Sequence, residues 1–276
     1  MADCYILLLP IDIINIISNK LYLRDKIFFI STCHIFFENI YIYKLTSETI
    51  NNEVLKQAKF KNIMNLNINF NTNIHNIRCL SKLIKLKTYG AKIRQNDIEY
   101  LTNLTYLNAA GIFSNIRQNN IDKLTKLTTL KIYHNSQIKN ISHLTHLTKL
   151  TVNNIIDQDN INALTKLVIL NLRHNKIIRN FEHLTNLTKL CANASDIDED
   201  NLKKISSLVS LDISYNEKIK CISYLTNLTY LNISGEYCKI NQTDIINLYS
   251  LKYLNIRYNT KILSVTHLTN LQKLIQ

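Results

Sequence analysis

The sequence predicts an α/β repeat solenoid of about 10 to 11 short coils, with a ribbon of short parallel strands on its concave side and a small α-helical module ahead of it. Three observations carry this reading. An aliphatic pattern returns about every twenty residues, and self-similarity at a fixed period is the signature of stacked coils. Hydrophobic residues make up 46% of the 276-residue chain, enough for a continuous core. Gly (3) and Pro (1) are too scarce for the many turns of a sandwich or barrel, so turns fall to Asn and Asp, which tolerate left-handed backbone and bond their own main chain.

The template is Leu164-x-x-Leu167-x-x-Leu170-x-Leu172-x-x-Asn175, followed by Ile178 and Phe181. Its third anchor recurs at Leu66, Leu86, Leu107, Leu130, Leu150, Leu170, Leu190, Leu211, Leu231, Leu254 and Leu274, in steps of 20, 21 or 23 residues. The pattern resembles leucine-rich repeats. Leu170 and Leu172 share one face of a short strand, because alternate strand residues point the same way. Ile178, Phe181, Leu184 and Leu187 then recur every third residue, the period of a 3₁₀ turn or extended segment, so little long helix is expected. Asn closes the strand at Asn71, Asn135, Asn175, Asn216 and Asn259. Ala91, Ile112, Ile155, Ser195 and Glu236 stand in the equivalent places of the other coils. From Leu130 onward the coils therefore alternate, and looser turns are expected where Asn is missing. No polar cap follows Leu274, so fraying of the last coil, or contact with a partner, is expected.

Before the repeats, Leu9-Pro10-x-Asp12-Ile13-x-x-Ile16 leads through Leu21 and Asp25 to Phe28-Phe29-x-x-x-Cys33-His34-x-Phe36. Pro10 suits a helix start, Ile13, Ile16 and Ile17 recur at helical spacing, and Asp25 can cap a second helix. This arrangement resembles an F-box, a helical module that docks substrate receptors on the Skp-type adaptor of cullin-based ubiquitin ligases. It departs from the F-box by lacking a late Trp, since the chain has none. The resemblance implies residues 5–45 as an F-box-like module, with Leu9, Pro10, Ile13, Ile16 and Leu21 on the adaptor. Residues 46–58 form a helical, polar connector and residues 59–276 the solenoid. The chain as a whole looks like an F-box/leucine-rich-repeat protein. Its Asn, Ile, Lys and Tyr bias resembles proteins of AT-rich genomes, including giant DNA viruses.

The residues flanking the inward leucines define the expected partner surface. Lys87, Tyr89, Lys131, Tyr133, His134, Arg173, His174, Tyr215, Arg257 and Tyr258 are the principal candidates, joined by Lys85, Lys149, Lys189 and Tyr253 and opposed by Asp212. Tyr and Arg are common binding hot spots, and a formal charge of +13 favours an acidic target. Each exposed strand position, taken singly, is equally explained as solvated surface.

Nothing in the sequence has the spacing of an active site, metal site or cofactor loop. Cys33 and His34 are neighbours in a predicted helix and diverge; His134 and His174, like His143 and His183, are inherited repeat positions. The six cysteines have neither metal nor disulfide spacing, so they read as reduced thiols. The N-terminus lacks the basic region of a secretory signal, and residues 27–43 are too short and polar to span a bilayer. An intracellular, cytoplasmic protein is expected, in the host cytoplasm if the source is viral. The sequons Asn103-Leu-Thr105 and Asn227-Leu-Thr229 then belong to the repeat. Three functions remain open: a ubiquitin-ligase substrate receptor; an interaction or decoy protein whose first 58 residues cap the solenoid; and, disfavoured because its charge is scattered, a nucleic-acid binder.

Overall fold

The fold is given by a computed structural model, which describes residues 10–22, 25–26, 28–29, 44–46, 50–56, 60–93, 95–153 and 155–276. Leu9, Cys33, His34 and Phe36 lie outside the described residues. The chain divides into two compact units, Met1–Lys126 and Leu127–Gln276.

In the first unit, α1 (Ile11–Lys20) follows directly on Pro10, whose carbonyl accepts from Ile13 N at 2.9 Å. Four three-residue strands follow: β1 (Lys44–Thr46), β2 (Asn65–Asn67), β3 (Lys85–Lys87) and β4 (Tyr106–Asn108), each parallel to the next. Leu45, Leu66, Leu86 and Leu107 lie in register. The ribbon thus carries a strand one coil ahead of the first anchor that the periodicity shows. Short helices α2 (Asn52–Leu55), α3 (Gln95–Ile98) and α4 (Gln118–Ile121) lie on the return segments.

In the second unit, β5 (Thr129–Lys131), β6 (Lys149–Thr151), β7 (Ile169–Asn171), β8 (Lys189–Cys191), β9 (Ser210–Asp212), β10 (Tyr230–Asn232), β11 (Tyr253–Asn255) and β12 (Lys273–Ile275) run parallel in sequence order. Every anchor leucine from Leu130 to Leu274 pairs with the next. The return segments carry α5 (Gln158–Asn162), α6 (Glu199–Lys203) and α7 (Gln242–Ile245). Anchors from Leu130 to Leu254, and the every-third-residue aliphatics such as Phe181, Leu184 and Leu187, are buried. Each such side chain contributes about 1.5–3 kcal/mol, realised only when a neighbouring coil covers it.

The ladder continues past the three-residue strands. The residue four beyond the anchor is left-handed in coil after coil: Phe70 (φ 60°), His134 (62°), His174 (58°), Ala194 (49°), Tyr215 (55°) and Tyr258 (64°). Such backbone costs a non-glycine residue roughly 1–2 kcal/mol. It persists because it aims the amide at the next coil: Phe70 N donates to Tyr89 O at 2.7 Å, His174 N to Asn193 O at 3.0 Å and Tyr215 N to Ser234 O at 2.9 Å. The buried Asn that follows serves both sides. Asn175 Nδ2 donates back to Asn153 O at 2.9 Å while its Oδ1 accepts from Ile177 N and Ile178 N. Asn216 and Asn259 do the same.

Coils without that Asn are not looser. Ala91 N and Ser195 N close the same turn onto Thr88 O and Ala192 O, and each of these coils carries a one-turn helix instead. Side chains cap those helices: Asp157 accepts from Asn160 N, and Asp198 from Asn201 N. The helix's first residue then reaches the next coil. Gln158 Oε1 accepts from Arg179 N and Asn180 N, and Gln242 Oε1 from Leu263 N and Ser264 N.

Candidate functional site

One residue before each anchor, a row of side chains stands on the open strand face of the second unit: Lys149, Ile169, Lys189, Ser210, Tyr230, Tyr253 and Lys273. Tyr230 and Tyr253 are in register on adjacent strands, which sets them about 4.8 Å apart. Their rings stack at 4.4 Å between centroids and 8° between planes. Lys189 Nζ stands 5.9 Å from the Tyr230 centroid and Lys273 Nζ 5.6 Å from that of Tyr253. Four side chains thus form one electrostatic row of ammonium, ring, ring and ammonium. Partial burial, helped by Asp212, pushes the Tyr230 hydroxyl up to about 12, so it is a proton donor at neutral pH.

One residue after each anchor, a second row runs Lys131, Thr151, Asn171, Cys191, Asp212, Asn232 and Asn255. Its polar members are largely occupied by the chain. Asp212 Oδ1 accepts from Ser214 N at 3.1 Å and Ser214 Oγ at 2.7 Å, and Asn171 and Asn255 hold Arg173 N and Arg257 N. Cys191 Sγ lies 3.7 Å from Asp212 Oδ2. Burial, and then Asp212, push its thiol up to about 11, which makes it a poor nucleophile.

The sequence-derived residues fall into three places. Lys131, like Lys87 in the first unit, stands in the row after the anchor. Tyr89, Tyr133, Arg173 and Arg257 lie three beyond the anchor. There Arg173 Nε donates to Asn193 Oδ1 at 2.8 Å and the Arg257 guanidinium lies 4.9 Å from the Tyr258 ring centre. His134, His174, Tyr215 and Tyr258 occupy the left-handed position at the strand's end; the Tyr133 and His134 rings meet edge to face at 4.0 Å. Tyr230 was not singled out from the sequence, although its place immediately before anchor Leu231 is the signal that finds it. Tyr106 is its counterpart in the first unit, with Lys85 Nζ 4.5 Å from its ring centre.

An aromatic edge recurs in both units. The two 23-residue coils each have glycine at the strand's end, Gly111 (φ 114°) and Gly235 (φ 115°), and an exposed aromatic two residues on, Phe113 (82%) and Tyr237 (65%). An aromatic of the preceding coil lies on each glycine: Tyr89 on Gly111 and Tyr215 on Gly235.

At the N-terminus, α1 buries Ile14 and Ser18 but exposes Ile13 (42%), Ile16 (58%), Ile17 and Leu21. Pro10 is exposed too. Cys79, Cys191, Cys221 and Cys238 are free thiols. Among the described residues no group of His, Cys, Asp or Glu could hold a metal ion, and no helix is long and apolar enough to cross a membrane.

No family model matches the sequence, and no curated protein matches it either. Solved structures do match. An internalin (InlF) of Listeria monocytogenes superposes with a TM-score of 0.61 at 20% identity, over 87% of this chain and 81% of that one. The fold is the leucine-rich-repeat fold. A leucine-rich-repeat protein of Leptospira interrogans also aligns, with a TM-score of 0.44 at 17% identity, over 86% of this chain and 83% of that one. Leucine-rich-repeat solenoids are typically interaction scaffolds rather than catalysts, since stacking coils builds a wide surface and no cleft.

Proposed function

We propose that this chain is a protein-recognition module, read on the strand face of Leu127–Gln276, and that it serves as a substrate receptor of a Skp/cullin-type ubiquitin ligase. The observation that carries recognition is the half-exposed row Lys189, Tyr230, Tyr253 and Lys273, a set of aromatic and cationic side chains of the kind that dominates binding hot spots. In this reading Lys131, Arg173 and Arg257 widen the positive surface, and the target is acidic. Adaptor docking is supported by α1, whose exposed Ile13 and Ile16 form an apolar face of the kind that marks interaction sites. The receptor would raise the target's effective concentration beside the ubiquitin-charged enzyme.

The test is capture of a purified Skp-type adaptor by the full-length chain. Ile13→Asp with Ile16→Asp alters only exposed positions and is expected to abolish capture without lowering the melting temperature. Targets retained by the wild-type chain should be lost with Tyr230→Ala and Tyr253→Ala. A second reading, an interaction or decoy protein whose N-terminal helices act as a cap, is favoured by the burial of Ile14 and Ser18. It stands if target capture persists and no adaptor is held.

A further inference from the structure

We infer that the row Lys189, Tyr230, Tyr253 and Lys273 takes an extended peptide segment laid across strands β8 to β12, with acidic residues at its two ends and a neutral middle. This deepens the reading of the strand face as the recognition surface, and rests on it.

The first argument is which part of each ring is open. The inner faces of Tyr230 and Tyr253 are closed by each other at 4.4 Å, and the Lys189 and Lys273 ammoniums stand 5.9 Å and 5.6 Å from the ring centres. A nucleobase needs a free aromatic face on which to stack. What this row turns outward is ring edges, hydroxyls and ammoniums. Ring edges carry the positive part of the aromatic quadrupole, and the hydroxyl of Tyr230 keeps its proton at neutral pH. The whole row therefore presents positive potential and hydrogen-bond donors, which suit carboxylates and backbone carbonyls.

The second argument is spacing. Lys189 on β8 and Lys273 on β12 are separated by four strand steps, about 19 Å at ~4.8 Å per step. An extended chain advances ~3.3 Å per residue, so carboxylates about six residues apart meet both ammoniums at once. The third argument is the one negative group nearby. Asp212, on β9 between them, keeps its carboxylate on the adjacent row, held by Ser214. It would repel an acidic residue placed midway, which selects acids at the ends and a neutral stretch over the rings.

The experiment uses the full-length chain and a fluorescein-labelled extended peptide with two glutamates six residues apart and a neutral interior. Fluorescence anisotropy is expected to show it binding about tenfold tighter than the same peptide with glutamines. Lys189→Glu with Lys273→Glu should remove that preference, whereas Lys220→Glu, a reversal at an exposed lysine of a return segment, should leave it intact. Equal affinity for both peptides, or no loss on the double reversal in a chain whose circular dichroism is unchanged, overturns the inference. So does equally tight binding of a single-stranded oligonucleotide that is lost on the same reversal, which would mark a general polyanion surface. If captured targets depend on Tyr230 and Tyr253 while the peptides fail, this inference falls and the recognition surface stands. If neither depends on any strand-face residue, both fall.

Discussion

The ring of Tyr215 rests on Gly235 one coil further along, so closely that a methyl carbon on the glycine would stand 2.8 Å from Tyr215 Cδ1. Gly235 also holds φ at 115°, which a side chain rarely adopts. Gly235→Ala is therefore expected to cost about 1–3 kcal/mol of stability by chemical denaturation. Adding Tyr215→Ala should restore only the steric share, because the backbone strain remains.

Asn175 holds two coils with one side chain. Asn175→Ala leaves the buried Asn153 carbonyl and the Ile177 and Ile178 amides without their partner, a loss of about 3 kcal/mol. Because stability in a stack is a sum of neighbour terms, hydrogen exchange should accelerate at Ile177 and Ile178 and stay unchanged at Ile256.

Acid should loosen the second unit in a specific way. The hydrogen bond from Lys218, with Arg179 nearby, holds the Asp196 carboxyl below the usual carboxylate range, as Asn160 does for Asp157. A depressed folded pKa means the stabilisation is complete above the unfolded value, about 3.9, and is lost as pH falls through the folded one. Asp196→Asn should flatten the acid limb of a melting-temperature profile and lower its neutral plateau.

Thiol reactivity should sort by burial. Cys79 is exposed, whereas burial raises the thiols of Cys191, to about 11, and of Cys238. Iodoacetamide near pH 8 should label Cys79 first and leave Cys191 and Cys238 largely unmodified, read by peptide mass spectrometry.

The coil period, the strand register and the inward leucines were legible in the sequence because each coil repeats the same burial problem. The short helices were not, since four or five residues are too few to show a helical period; their signal lay in caps such as Asp157 and Asp198. Strand β1 was missed because Leu45 follows the apolar run Tyr41-Ile42-Tyr43, which reads as part of the N-terminal helical segment. Tyr230 was missed for another reason. The flanking residues were judged by side-chain type coil by coil, whereas its importance comes from Tyr253 on the adjacent strand, a relation that only register reveals. The sequons have a structural account: Thr229 Oγ1 donates to Val209 O at 3.2 Å and Asn103 Nδ2 to Ser81 O at 3.1 Å.

The helix-bearing coil and the Asn-bearing coil after it are bound from both directions. Gln158 reaches forward to Arg179 and Asn180, while Asn175 reaches back to Asn153. Gln242 and Asn259 repeat the exchange with Leu263, Ser264, Ile233 and Ile240. Such an array can lengthen or shorten without orphaning a donor or acceptor only in whole couples of about forty residues. Gene duplication or engineered grafting should therefore respect that doublet, and cuts made through its middle should give insoluble chains.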